Sequence, residues 1–195
     1  MFSKRFLLFQ IIAILICILL YVGYRLQQPQ KKTLPVLGSV AAFTLNNSDG
    51  FETSLTDLKG KLWVGNLMFT TCGSICPMMT KNMNILHRSF REYNDVRFVS
   101  ISVNPENDTP DTLKKYAQKY RIDTNHWFFL TGSREDITKL AVESFKLGDM
   151  KEPIFHSSYF VLVDRQGRIR AYYDGIDNNA IKKLAAELTD LLKEK

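Results

Sequence analysis

The chain has 195 residues, of which 45% are hydrophobic, and 26 Lys and Arg against 20 Asp and Glu give a net charge of +6. Basic and acidic residues alternate along helix-like stretches, which indicates solvated faces and excludes a basic stripe for nucleic acid. With only 3 cysteines, the chain also cannot be a small fold held together by several disulfides.

The first segment of the chain is strongly apolar. Residues 6–24 contain one strongly polar member, Gln10, and follow the basic pair Lys4 and Arg5. At about 1.5 Å per residue, such a helix is about 28 Å long, close to the thickness of the hydrocarbon layer. The run does not end in the small residues that precede a signal-peptide cleavage site. The sequence therefore predicts an uncleaved transmembrane anchor at 6–24.

This anchor divides the chain into four parts. We predict a short tail at 1–5, the anchor at 6–24, a polar tether at 25–35 and a folded domain at 36–195. A lipid-attachment site requires a small residue before its cysteine, whereas Ile16 precedes Cys17. Cys17 is therefore interpreted as a thiol buried in the membrane. The charges on the two sides of the anchor are balanced and do not set its orientation.

The predicted location follows from the order of these parts. A short tail, one span and one folded domain suit a single-pass protein of the cell (inner) membrane whose domain faces the extracytoplasmic or periplasmic side. A cysteine pair can become oxidised there. About 160 residues remain after the anchor, enough for one hydrophobic core.

The domain alternates strand-like and helix-like segments. An early hairpin comes first, and helices of ten to fifteen residues then separate apolar strands. This order predicts an α/β, thioredoxin-like three-layer fold with a central mixed sheet and an N-terminal hairpin. The predicted strands are 42–45, 51–54, 62–69, 96–103, 127–130, 159–163 and 169–173, and the predicted helices are 77–93, 109–120, 133–145 and 178–192.

Two cysteines lie where the strand 62–69 gives way to a helix. Cys72 and Cys76 are four residues apart, so they are expected on one helical face at the crevice that open α/β sheets use for function. The start of a helix stabilises negative charge, and we expect both thiols to have lowered pKa values. The pair is a disulfide, a redox couple or a metal clamp. Soft sulfur donors favour Cu(I), and an added imidazole allows Cu(II).

Four segments of the sequence carry a recognisable pattern: 69–77, which contains Cys72 and Cys76, and 102–110, 129–133 and 156–164. The chain resembles the Sco/SenC family, membrane-anchored thioredoxin-like copper proteins that assist cytochrome c oxidase assembly. The resemblance implies that Cys72, Cys76 and His156 together bind one copper ion, as Cu(I), Cu(II) or both.

Two residues depart from the pattern of the family. Asn104 replaces an aspartate that often precedes proline, and Phe155 replaces an aspartate that often precedes the histidine. Neither position is a ligand in the usual scheme. The departures therefore concern the tuning of the metal site and contacts with partners more than copper binding itself.

Other soft or basic side chains are weaker candidates. Met78, Met79 and Met83 are possible thioether ligands, but their helical spacing favours core packing, with Met78 as the exception. His87 is predicted to lie on the surface of its helix. His126 adjoins a short strand and is predicted not to be a ligand.

Two functions remain open at this point. The favoured one is a metallochaperone, not an enzyme, that delivers copper to the dinuclear copper site of an oxidase subunit. The alternative is a thiol-disulfide reductase of that site, with Cys72 attacking and Cys76 resolving. The expected partners are the copper-site subunit and, besides it, other copper chaperones or thioredoxin-like reductants, with no nucleic acid.

Overall fold

The structure is a computed structural model that describes residues 4–27, 33–148 and 157–194. It divides into two compact units, Met1–Thr33 and Leu34–Lys195. The first unit contains helix α1 (Lys4–Gln27). Within the described ranges, no helix is both long enough and apolar enough to cross a membrane. The anchor predicted at 6–24 is therefore not confirmed.

The second unit is built on a mixed sheet of eight strands in the order β1-β8-β7-β4-β5-β6-β2-β3. Strands β4, β5 and β6 pair in parallel, and every other neighbouring pair is antiparallel. The predicted mixed sheet and the early hairpin, β2–β3, are thus confirmed. The strands are β1 (Gly38–Ser39), β2 (Thr44–Asn47), β3 (Glu52–Ser54), β4 (Leu62–Met68), β5 (Val96–Ser102), β6 (Trp127–Thr131), β7 (Tyr159–Val163) and β8 (Arg168–Asp174).

Helices cover both faces of this sheet and complete three layers. The helices are α2 (Leu55–Leu58), α3 (Ile75–Phe90), α4 (Pro110–Lys119), α5 (Arg134–Thr138), the π-helical stretch (Lys139–Ser144) and α6 (Asn178–Leu192). Apolar residues of α3, α4 and α6 contribute to one buried cluster, and residues of α5 and the π-helical stretch contribute to the other.

Strand β4 is central and buried along its whole length. Its apolar side chains alternate between the two clusters, with Val64 in one and Trp63 in the other. Its polar member, Asn66, accepts a 2.7 Å hydrogen bond from the hydroxyl of Ser100 on β5, and Ser100 accepts 2.9 Å from the Trp127 indole on β6. These hydrogen bonds join the three parallel strands and satisfy their buried polar groups, as a protein core requires.

The first residues of the unit are held by a buried ion pair. The Arg170 guanidinium donates to Asp164 at 3.0 Å, to the carbonyl of Pro35 at 3.1 Å and to the carbonyl of Leu34. Both charged side chains are almost inaccessible to water. This clamp fixes the point at which the chain enters the domain.

Two short elements were not predicted. Strand β1 has two residues and exists only because Gly38 pairs with Ile169 far along the chain. Helix α2 is a single turn in which the Asp57 carboxylate accepts the Ser54 N–H at 2.7 Å. Neither is long enough to show a hydrophobic period in the sequence.

Candidate functional site

The two cysteines lie on a turn and on the helix that follows it. Strand β4 ends at Met68, and a turn closed by the 3.2 Å bond from the Cys72 N–H to the Phe69 carbonyl leads towards α3. Helix α3 begins at Ile75, so Cys76 occupies its first turn, whereas Cys72 precedes the helix. The expectation that both thiols share one helical face is therefore wrong, because the helix starts too late to include Cys72.

The turn nevertheless brings the two thiols close enough to interact. Both are free, and their residues are only 8% and 5% exposed. Burial raises the pKa of the Cys72 thiol, but hydrogen bonds from the Cys76 side chain and N–H and from Ser74 outweigh it and lower that pKa to about 7. The Ser74 hydroxyl lies 3.7 Å from the sulfur. Cys72 is thus the thiol that ionises near neutral pH.

Cys76 behaves in the opposite way. Burial raises its pKa to about 12, helped by its hydrogen bond to Cys72 and by the negative charge of Asp108. The prediction of two lowered pKa values is therefore wrong for Cys76. One thiolate is stabilised by the donors of the turn, and a second one next to it would be buried beside a like charge.

Asp108, in the loop after β5, holds the turn through hydrogen bonds to Thr70. Its carboxylate is fully buried and accepts the Thr70 N–H at 2.9 Å, the Thr70 hydroxyl at 2.5 Å and the Ser102 hydroxyl at 2.6 Å. Sequence patterns did not single out this residue, because its surroundings indicated only the cap of α4. The available signal was an acidic residue beyond the carboxyl end of β5, next to the end of β4.

The methionines of α3 divide as predicted. Met79 and Met83 are buried in the core, whereas Met78 is 49% exposed in the first helical turn. Behind them, the Thr80 hydroxyl and the Tyr116 phenol form a buried 2.8 Å hydrogen bond between α3 and α4. Met79 and Met83 therefore belong to the core, beside this paired polar contact.

The surface position predicted for His87 is wrong. The side chain is buried, and its ring meets the ring of Phe98 edge-on at a centroid distance of 5.4 Å. Burial lowers the pKa of His87. His87 lies on the side of α3 that packs against the sheet, which the neighbouring Arg88 does not reveal in the sequence. His126 is partly buried, at the start of β6.

His156 and Phe155 lie outside the described residues. Among those that are described, no group of three His, Cys, Asp or Glu side chains is arranged to hold a metal ion. The described chain resumes at Ser157, and the carbonyl of Ser158 accepts the Gly175 N–H at 2.6 Å. Gly175 in turn accepts a 2.8 Å hydrogen bond from Asn82 on α3.

Asn104, the first departure noted in the sequence, lies in the loop after β5. Its N–H donates to the Ser102 hydroxyl at 3.1 Å, and its amide oxygen accepts from Asn107 at 3.1 Å. These bonds are internal to the loop. Asn104 therefore shapes the loop that carries Asp108.

Comparison with known proteins gives a consistent result. The family model SCO1/SenC matches residues 33–193. The structure of BsSco, described as a member of the Sco family of cytochrome c oxidase assembly proteins with a disulfide switch, is 37% identical, with a TM-score of 0.74, and the match covers 84% of this chain and 99% of that one.

Two further solved structures are similar to this chain. A SCO1/SenC family lipoprotein from Bacillus anthracis is 35% identical with a TM-score of 0.73, covering 86% of this chain and 99% of that one. ScoI from Bradyrhizobium japonicum, solved with copper bound, is 26% identical with a TM-score of 0.63, covering 77% of this chain and 98% of that one.

Proposed function

Because this chain belongs to the SCO1/SenC family, we propose that its domain binds one copper ion and delivers it to the dinuclear copper site of cytochrome c oxidase. The ligands in this proposal are the thiols of Cys72 and Cys76 and the imidazole of His156. The observation that carries it is the pair of buried, interacting thiols beyond the carboxyl end of β4, one of which has a pKa lowered to about 7.

The two thiols suit copper as a cargo. Thiolate sulfur is a soft donor that favours Cu(I), and the turn places Cys76 close enough to Cys72 for the two thiols to interact. Cys72 is about half ionised at pH 7. Cys76 has a raised pKa, so copper must displace the proton of its thiol. Copper binding is therefore expected to release protons and to weaken in acid.

The chain next to His156 supports its inclusion. Ser158, two residues further on, is linked through Gly175 to Asn82, which lies six residues after Cys76 on α3. The segment that follows the histidine is thus held against the helix that carries Cys76. An imidazole added to two thiolates provides the nitrogen donor that Cu(II) prefers.

Copper titration of the full-length protein in detergent tests this proposal. We expect one copper per reduced protein and almost none after the two thiols are oxidised to a disulfide. Cys72→Ser and Cys76→Ser should each abolish stable binding, and His156→Ala should weaken Cu(II) far more than Cu(I). His126→Ala is the matched control and should change little. Equal binding by the reduced and oxidised protein would rule out thiolate ligands.

We also propose that residues 6–24 attach the protein to the cell membrane and that the domain faces the extracytoplasmic side. The support is the apolar sequence of this segment, together with the description of the Bacillus anthracis relative as a lipoprotein. In membranes washed with alkaline carbonate the protein should stay in the pellet. A membrane-impermeant maleimide should label Cys72 in intact cells or spheroplasts; labelling only after lysis would reverse the orientation.

A thiol-disulfide reductase is the second candidate, and the unequal pKa values of the two thiols favour it. A nucleophile near pKa 7 beside a protonated partner is the arrangement in which one thiol attacks and the other resolves. Its substrate would be the oxidised cysteines of the oxidase copper site, and a thioredoxin-like reductant would regenerate it. A copper chaperone upstream is the corresponding partner in the delivery role.

Rescue of a deletion strain separates the two roles. Excess copper should restore oxidase activity if delivery is the function, because mass action can replace a carrier. A thiol reductant should restore it if reduction is the function. Restoration by the thiol and not by copper would favour the reductase.

A further inference from the structure

The turn that carries Cys72 is fastened to the rest of the domain by one buried carboxylate. Two of the three hydrogen bonds that Asp108 accepts come from Thr70, through its N–H at 2.9 Å and its hydroxyl at 2.5 Å. Thr70 lies inside the turn that closes between Phe69 and Cys72. A shift of Thr70 would therefore move Cys72 with it.

Asp108 is itself rigidly held on its own loop. Its N–H donates to the Asn104 carbonyl at 2.9 Å, and its carboxylate accepts the Ser102 hydroxyl at 2.6 Å. The same hydroxyl accepts the Asn104 N–H at 3.1 Å. The carboxylate is thus a fixed point at the end of β5 and not a mobile side chain that follows the turn.

The hydrogen bonds to the Cys72 sulfur come from Ser74 and Cys76, within the same segment, and the backbone ties of the turn are weaker than its bonds to Asp108. The bond that closes it, from the Cys72 N–H to the Phe69 carbonyl, is 3.2 Å long, and Ser74 makes no side-chain capping hydrogen bond at the start of α3. Hydrogen bonds to an ionised acceptor are roughly twice as strong as neutral ones. The Thr70–Asp108 contact therefore ties the segment that carries Cys72 to the loop after β5.

We propose that Asp108 is a positioning residue whose carboxylate, through Thr70, holds Cys72 within reach of Cys76. The inference rests on the proposed function only in that the two thiols act together, and it concerns the protein before any metal binds. A disulfide forms only within a narrow geometry, so holding the thiols close raises the effective concentration of one towards the other. Releasing the turn should make the disulfide easier to reduce.

The exchange with glutathione measures this effect directly. The protein gives two electrons and two protons from Cys72 and Cys76 to glutathione disulfide, which becomes two glutathione molecules, and the protein gains one S–S bond. The equilibrium constant is measured on metal-free, full-length protein in a Cys17→Ser background. Copper plays no part, so a failure of the copper proposal would leave this measurement unchanged.

Thr70→Val removes only the hydroxyl bond, and Thr71→Val makes the same change at the exposed neighbour, whose side chain has no hydrogen bond within the described part of the chain. We expect the constant for disulfide formation to fall at least fivefold in Thr70→Val and to stay within twofold of wild type in Thr71→Val. Thr70→Ser restores the hydroxyl and should recover the wild-type value. Equal constants for the two valine variants would overturn the proposal.

Two further variants separate position from charge and from stability. Asp108→Asn keeps one acceptor oxygen and offers an amide to the Thr70 hydroxyl, so it should stay within about threefold of wild type, whereas Asp108→Ala should lose at least tenfold. An equal loss in both would assign the effect to charge and refute the positioning role. Arg170→Met destabilises the domain at its buried ion pair with Asp164 instead of at the turn, and a loss there as large as in Thr70→Val would also refute the positioning role.

Discussion

The sharpest consequence of the site geometry is a difference in reactivity between two neighbouring thiols. Burial raises the Cys72 pKa, but hydrogen bonds from Cys76 and Ser74 bring it down to about 7, from an ordinary value of 9.0. The rate of alkylation of Cys72 by iodoacetamide should therefore rise with a midpoint near pH 7. Cys76, with a pKa of about 12, should remain unreactive across this range.

The hydrogen-bond donors around Cys72 accelerate its alkylation by a modest factor. At pH 7 a thiol of pKa 7 is about half thiolate, whereas one of pKa 9 is about 1% thiolate, a ratio of about 50. The nucleophilicity of a thiolate falls with its pKa, and a Brønsted coefficient of about 0.45 over two pKa units lowers its intrinsic rate about eightfold. The net gain for Cys72 at pH 7 is about sixfold over the same thiol without its donors.

The assay is mass spectrometry of the alkylated peptides from the metal-free, reduced protein, with rate constants taken between pH 5 and 10. Cys76→Ala removes the largest favourable donor and should move the Cys72 midpoint towards 9. Ser74→Ala removes a weak contact at 3.7 Å and should move it less. A wild-type midpoint at 8.5 or above, or faster alkylation of Cys76 than of Cys72, would refute this account.

Three further predictions concern stability. Burial would raise the Asp164 pKa, but hydrogen bonds from Arg168 and Arg170 hold it below its usual value. The ionised Asp164 therefore stabilises the fold fully above about pH 4, and this stabilisation is lost as pH falls through the folded pKa. The urea midpoint, measured across acid pH, should fall accordingly. Arg170→Met breaks a buried pair and should cost about 3 kcal/mol in urea denaturation at pH 7. Thr80→Val removes the Thr80 partner of the buried Tyr116 hydroxyl and should cost about 2 kcal/mol, and adding Tyr116→Phe should recover part of it; no recovery would contradict the Thr80–Tyr116 hydrogen bond.

The long elements were predictable because their pattern is local. The apolar run of β4 and the helical spacing of Met79 and Met83 on α3 each identify a buried face without reference to the rest of the chain. The predicted helix 178–192 has the bounds of α6. The π-helical stretch Lys139–Ser144 was predicted only as ordinary helix, since its hydrogen-bond register is not visible in the sequence.

Two cysteines four residues apart at the end of an apolar strand indicate, from their spacing alone, a disulfide, a redox couple or a metal clamp at the junction of β4 and α3. The difference between these thiols, with a pKa of about 7 for Cys72 and about 12 for Cys76, arises from the folded surroundings of each sulfur. Folding also places the Asp108 carboxylate against Thr70, which is 38 residues away in the chain. Ionisation depends on burial and on donors brought together by folding, and neither quantity is encoded in local spacing.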